Sequence, residues 1–143
     1  MNIDKEVISQ AVVDCAYQLH HDLGPGLLEV VYEVVLAKLI RERGYQVERQ
    51  KPVSIRYEGL LFEEGFRADL IVEGVVLVEL KSVETLAPVH AKQVLTYIRL
   101  LNLPVGLLIN FGSATFKDGV KRIVQGSQSF AYSRLRVNQV PES

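Results

Sequence analysis

Cysteine is nearly absent from this chain of 143 residues. Cys15 is the only one, which excludes an internal disulfide. Its place on an apolar stripe of helical spacing makes it a small core residue. An excess of either charge is also missing. Sixteen basic residues face seventeen acidic ones, for a net charge of −1, so the chain carries no general attraction to nucleic acid or to a membrane surface. No apolar run is long enough to cross a bilayer. The first residues are charged and no apolar leader segment follows, so a reducing, cytoplasmic setting is expected. Internal repeats, low-complexity tracts, a second domain and a base-reading module are all lacking.

What is present suits a globular α/β chain. Hydrophobic residues make up 48% and charged residues 23%, enough for one domain over residues 1–143 with its own core and an irregular tail from about 125. Apolar spacing predicts a first helix from Asp4 to His21, with Ile8, Val12, Cys15 and Leu19 inward and the adjacent His20 and His21 at its surface end. Leu23-Gly24-Pro25-Gly26 is a turn. A second helix from Leu27 to Arg43 is apolar around most of its circumference, which predicts burial on several sides. Glu29 falls in its first turn, where free N–H groups and the helix dipole favour a carboxylate; complementing that helix end is a sufficient reason for it. Gln46–Tyr57 reads as a strand, with Pro52 marking an edge or a bulge. Glu58-Gly59 turns into Leu60–Phe62, and Glu63-Glu64-Gly65 breaks the pattern. After a central hairpin, Pro88 opens a third helix that runs to about Leu101. His90, Gln93 and Tyr97 lie along one edge of its apolar stripe. Val105–Phe111 is a strand buried on both faces, expected to pair in parallel after the helical crossover. Lys117–Val124 is a last short strand, with Asp118-Gly119 as a preceding turn. From Phe111 onward Lys117, Lys121, Arg122, Arg134 and Arg136 outnumber Asp118 and Glu142, a mildly basic end that reads as solvated surface. The segment 130–143 alternates weakly, as an edge strand, a partner-contacting arm or disorder does.

The stretch Phe66–Lys81 organises the rest. Two apolar runs fold back at Glu73-Gly74, interrupted by Asp69, Glu79 and Lys81. Charges inside a strand are costly unless they are paired or bind a metal. Glu79 and Lys81 share a face, being two residues apart. Loop length decides whether Asp69 joins them. A two-residue loop sets Asp69 against Val78, whereas a three-residue loop from Glu73 to Val75, or a bulge, sets it across from Glu79. The second arrangement is expected. One explanation of the acids is a metal-free salt-bridge cluster around Lys81. Three carboxylates around one lysine leave negative charge uncompensated, which a bound cation resolves.

These motifs resemble a known family. Gly26-Leu27-Leu28-Glu29-Val30-Val31-Tyr32 is similar to the G-x-x-E-x-x-Y pattern of the GxxExxY proteins, within the PD-(D/E)XK nuclease superfamily. Asp69 with Glu79-Leu80-Lys81 resembles that superfamily's D…(D/E)-x-K core, and Gln93-Val94-Leu95-Thr96-Tyr97 the Q-x-x-x-Y motif of its RecB-like branch. The resemblance implies a restriction-endonuclease-like mixed sheet flanked by helices, in the order helix, three-strand meander, helix, strand, here with an extra N-terminal helix. It implies a metal-dependent nuclease acting on DNA or RNA as substrate. Asp69, Glu79 and the Leu80 carbonyl would bind Mg2+, with Mn2+ as an alternative, and Glu29 would hold a coordinated water or a second ion. Lys81 would stabilise the transition state, and Gln93 and Tyr97 would orient the lysine or the substrate. The competing expectation is a catalytically silent binding or regulatory protein on the same scaffold, a homo-oligomer or a partner of nucleic acid or protein. The near-neutral charge favours it, since nucleic-acid binding relies on positive surface.

Overall fold

A computed structural model describes residues 4–125 of the chain. The weakly alternating segment 130–143 and the basic residues Arg134 and Arg136 lie outside them. The first helix, α1 (Lys5–Leu23), is capped by Asp4, whose carboxylate accepts the Glu6 N–H at 2.8 Å. It ends on Gly24, at φ +76°. The second, α2, spans Glu29–Glu42. The strands are β1 (Val47–Tyr57), β2 (Leu60–Val72) and β3 (Val76–Lys81); α3 (Pro88–Leu101) leads into β4 (Val105–Asn110) and β5 (Val120–Val124). They form one sheet in sequence order, β1-β2-β3-β4-β5. Only the β3–β4 pair is parallel, joined by α3, as the crossover predicts.

Helices cover both faces. Ile8, Val12 and Leu19 of α1 and Tyr32, Leu36 and Ile40 of α2 pack on Leu70, Val72, Val76, Val78, Leu107 and Ile109. On the other face Val94 and Ile98 of α3 pack on Ala68, Ile71, Leu77 and Leu108. Every residue of β4 is buried, which explains why that strand reads as a continuous apolar run.

The β1–β2 pair is much longer than β3. It closes on a two-residue turn with positive φ at both Glu58 and Gly59. Glu63-Glu64-Gly65 does not end a strand. Its three residues stand against Ser54 alone as a bulge between the pairs Val53–Phe66 and Ile55–Phe62. The bulge needs Gly65, because an added Cβ there would lie 2.2 Å from Ile55 Cδ1. Beyond Arg67 this ribbon has no third strand beside it among the described residues.

Three further expectations are corrected. Helix α2 begins at Glu29, and its apolar circumference is not all buried: Leu28 is 74% exposed, and Val30, Val31 and Val34 also face outward. The sheet and α1 cover only the stripe of Tyr32, Glu33, Leu36, Ala37 and Ile40. His20 is not on the surface. His20 follows Ala16 by four residues and so continues the buried stripe of α1; its Nε2 lies 2.9 Å from the Ser113 carbonyl oxygen. Finally, Lys117–Gly119 is a short 3-10 helix, and strand pairing starts at Val120.

Helix α3 sits close on β4 because Gly106 has no side chain. A Cβ there would meet Val94 Cγ1 at 2.6 Å and Ile98 Cγ2 at 3.0 Å. Gly106→Val is therefore expected to push α3 off the sheet and to cost about 1–3 kcal/mol, read as a lower urea midpoint. An unchanged midpoint would show that this contact is not tight.

Candidate active site

The hairpin loop comprises Glu73, Gly74 and Val75, with φ +54° at Glu73 and +65° at Gly74. Its three residues set the β2–β3 register at Leu70–Val78, Ile71–Leu77 and Val72–Val76. One step further the partners are Asp69 and Glu79, and here side chains take over the ladder. The Asp69 N–H donates to Glu79 Oε2 at 2.9 Å. The Leu80 N–H donates to Asp69 Oδ2, also at 2.9 Å. Each carboxylate thus accepts a main-chain donor from the opposite strand, where a carbonyl would otherwise serve. The Leu80 C=O lies on the same side of β3 as its N–H, toward this gap.

Burial makes the two acids expensive. Glu79 is 6% exposed and Asp69 half-buried. Desolvation, then repulsion by Asp69, pushes the Glu79 carboxyl up to about 8, against the opposing pull of the Asp69 N–H and Lys81. The Asp69 carboxyl is also raised, first by desolvation and further by the charges of Glu33 and Glu29, while the Leu80 N–H and Lys81 lower it. Lys81 is half-buried and near enough to be felt by both. Among the described residues it forms no ion pair with any of these acids. A salt-bridge cluster around Lys81 is therefore not what the structure contains; in the metal-free protein the raised Glu79 carboxyl meets the crowding of acids by holding a proton.

The other expected residues arrive from the two helix layers. Glu29 is the first residue of α2 and is exposed. It contributes charge to the surroundings of Asp69 but does not close with Asp69 and Glu79 into a cage. Among the described residues no three His, Cys, Asp or Glu side chains do. Gln93 and Tyr97 are half-buried on α3. Tyr97 stacks on Phe66 with ring centroids 3.9 Å apart. Its phenol is pushed upward by burial and further by the charges of Glu79 and Asp69. Two carboxylates and a main-chain carbonyl form a hard oxygen donor set of the kind magnesium or manganese accepts. Such an ion would take the place of the proton that Glu79 otherwise holds.

Tyr32 acts on the loop before α2. It is wholly buried, its ring stacked on Phe111 at 4.4 Å and 4°. Its hydroxyl accepts the Leu27 N–H at 3.1 Å and donates to the Gly24 carbonyl at 2.6 Å. Gly26 supplies a backbone at φ +102° in that loop. Gly26 and Tyr32 are thus one device that sets where α2, with Glu29 as its first residue, begins. Ser82 Oγ, just after Lys81, donates to the Leu27 carbonyl and ties the device to the end of β3. Asn110 holds the far side. Its Oδ1 accepts the Val83 and Gly112 N–H groups, and its Nδ2 donates to the Val83 carbonyl and Ser113 Oγ.

Sequence reasoning missed Glu33, Arg49 and Gln50. Glu33 is 4% exposed. It accepts from Gln50 Nε2 at 2.6 Å and from Arg49 Nε at 3.1 Å, with Arg49 Nη2 at 3.0 Å. Gln50 Nε2 also lies 3.4 Å from Asp69 Oδ1. An acid four residues after Glu29 inside an apolar helix was a signal for Glu33; nothing in the sequence of β1 marks Gln50.

The family model of the PD-(D/E)XK nuclease superfamily matches residues 6–123. No curated protein and no solved structure matches the chain. The chain belongs to the PD-(D/E)XK nuclease superfamily, and its five-stranded mixed sheet with helices on both faces is the restriction-endonuclease-like fold of that group.

The raised Glu79 carboxyl has a consequence for stability. Its folded value of about 8 lies above the 4.5 of the free side chain, so between these values the folded protein holds a proton that the unfolded chain has released. That contribution is complete below pH 4.5 and is lost as pH rises through about 8. Metal-free protein is expected to melt at progressively lower temperature from pH 5 to pH 8, and Glu79→Gln should flatten the slope. Equal slopes in wild type and Glu79→Gln would show that this carboxylate is not the cause.

Proposed function

We propose that this member of the PD-(D/E)XK nuclease superfamily is a divalent-metal-dependent phosphodiesterase acting on DNA or RNA at Asp69, Glu79 and Lys81. The observation that supports this most is the pair of carboxylates across the β2–β3 gap, Glu79 buried and Asp69 half-buried, neither of which forms an ion pair among the described residues. In this reading Asp69, Glu79 and the Leu80 carbonyl hold Mg2+ or Mn2+. When bound, such an ion acidifies a water nucleophile and neutralises charge on the phosphate. Lys81 follows Glu79 by two residues on β3 and so shares its face. Its positive charge suits it to stabilising negative charge in the transition state. Glu29, at the exposed start of α2, orients water from the helix side. Gln93 and Tyr97 line the α3 side and orient Lys81 or the substrate backbone. The G-x-x-E-x-x-Y spacing of Gly26, Glu29 and Tyr32 supports a reading of the chain as a GxxExxY protein, and Gln93 with Tyr97 supports the RecB-like branch.

A second reading is a silent scaffold that binds a partner or a second copy. The exposed Leu28 just before α2 and Val30 and Val34 on it favour it, as do Leu60, Leu61 and Phe62 at the tip of the β1–β2 ribbon, because clustered exposed apolar side chains mark interaction surfaces.

Cleavage assays separate the two. Labelled single- and double-stranded DNA and RNA, incubated with the protein and Mg2+ or Mn2+, should be cut. Asp69→Ala, Glu79→Ala and Lys81→Ala should each lower the rate by about 100-fold or more. Full activity in Lys81→Ala would remove the role given to that residue. No cleavage of any substrate by wild type with either ion would favour the binding scaffold.

A further inference from the structure

We propose that Gln50 is a positioning residue for Asp69, itself held by Glu33 and Arg49. The inference rests on the reading of Asp69 as a metal ligand and extends it to three residues outside the superfamily motif.

The first observation is conformational. Gln50 sits in the middle of β1 with φ +51°, a left-handed backbone uncommon for a residue with a side chain and costing of order 1–3 kcal/mol. The register on either side of it is unbroken, with Arg49 opposite Leu70 and Lys51 opposite Ala68, so no inserted residue explains the kink. Its effect is on direction. Successive side chains of a regular strand point to opposite faces, yet Arg49 and Gln50 both reach the Glu33 carboxylate of α2. The kink at Gln50 makes that convergence geometrically available.

The second observation is chemical. The Gln50 amide nitrogen carries two N–H donors, and ionised carboxylates only accept. One donor meets Glu33 Oε1 at 2.6 Å; the other points to Asp69 Oδ1 at the longer distance of 3.4 Å. Asp69 Oδ2 is meanwhile taken by the Leu80 N–H. The aspartate is therefore held from two directions, by the backbone of β3 and by an amide on β1. Glu33 is nearly fully buried, and Arg49 supplies the charge that lets it stay there. Glu33 fixes the amide, and the amide fixes the rotamer of Asp69. A neutral amide suits this position because it bridges two like charges without neutralising either. Asp69 thus keeps the charge that a cation needs.

The test uses two variants that accept positive φ and lose the bridge. In Gln50→Asn the amide is retained but is one methylene too short to span both acids; in Gln50→Gly it is removed. The readout needs no metal: the backbone amide of Leu80, whose hydrogen bond to Asp69 Oδ2 reports where the carboxylate sits. In both variants, metal-free, the Leu80 amide proton should shift, and its hydrogen exchange should quicken by up to about tenfold. The Val83 amide, bonded to Asn110 Oδ1, should stay as in wild type. A purely structural role would instead quicken exchange at both amides. Calorimetric titration with Mn2+ should show binding to both variants weakened by about tenfold. If the Leu80 amide keeps its wild-type shift and exchange in both variants, or if Leu80 and Val83 loosen together, the proposal is wrong. Wild type that takes up no Mn2+ would count against the proposed function instead, with the Leu80 amide still deciding the role of Gln50.

Discussion

The site depends on one substitution of partners in the sheet. The main-chain N–H groups of Asp69 and Leu80 bond to carboxylate oxygens of the facing strand, where a regular ladder would offer carbonyls. Two effects follow together. The strands stop pairing through their backbones, which leaves the Leu80 carbonyl toward the gap. Each acid also gains one strong donor, which offsets part of its desolvation. The offset is incomplete, since both carboxyls remain above their ordinary range. The sheet keeps a local deficit of positive charge at its centre, and the surrounding elements are placed about it.

Those elements meet the gap from three sides, each with its own anchor. Helix α2 is set by Tyr32, which is stacked on Phe111 and bonded to both ends of the Gly24–Leu27 loop. Helix α3 is set by the absence of a side chain at Gly106 and brings Tyr97 over Phe66. The ends of β3 and β4 are clasped by Asn110, a buried amide with bonds to Val83, Gly112 and Ser113. Rigid anchoring of this kind is what a charged site requires, because small displacements of an uncompensated carboxylate change its energy greatly.

Much of this was legible in the residues. Periodicity located all three helices and the buried strand β4, and the turn residues located both hairpins. Counting residues around Glu73-Gly74 was enough to predict that Asp69 faces Glu79, because side-chain direction in a strand has period two. What was not legible depended on neighbours. The apolar circumference of α2 suggested burial on several sides, but composition cannot tell how many layers will cover a helix. Leu28, Val30 and Val34 stay outside. His20 read as a surface residue because it is polar and near a helix end, yet it lies four residues after Ala16 on the buried stripe and meets the Ser113 carbonyl. The Arg49–Gln50–Glu33 contacts were hidden for a stronger reason: they exist only because one residue of β1 leaves the extended conformation, and glutamine carries no propensity that announces this.

The kink at Gln50 also matters for the border of the sheet. Strand β1 is an outermost strand of eleven residues, and a long straight border with free N–H and C=O groups invites other chains to add to it. Here a left-handed residue, a proline two positions later and a bulge in the partner strand divide that border into short, misaligned pieces. The departure from regularity that turns an amide toward the acids therefore also works against the stacking of one molecule's sheet onto another's.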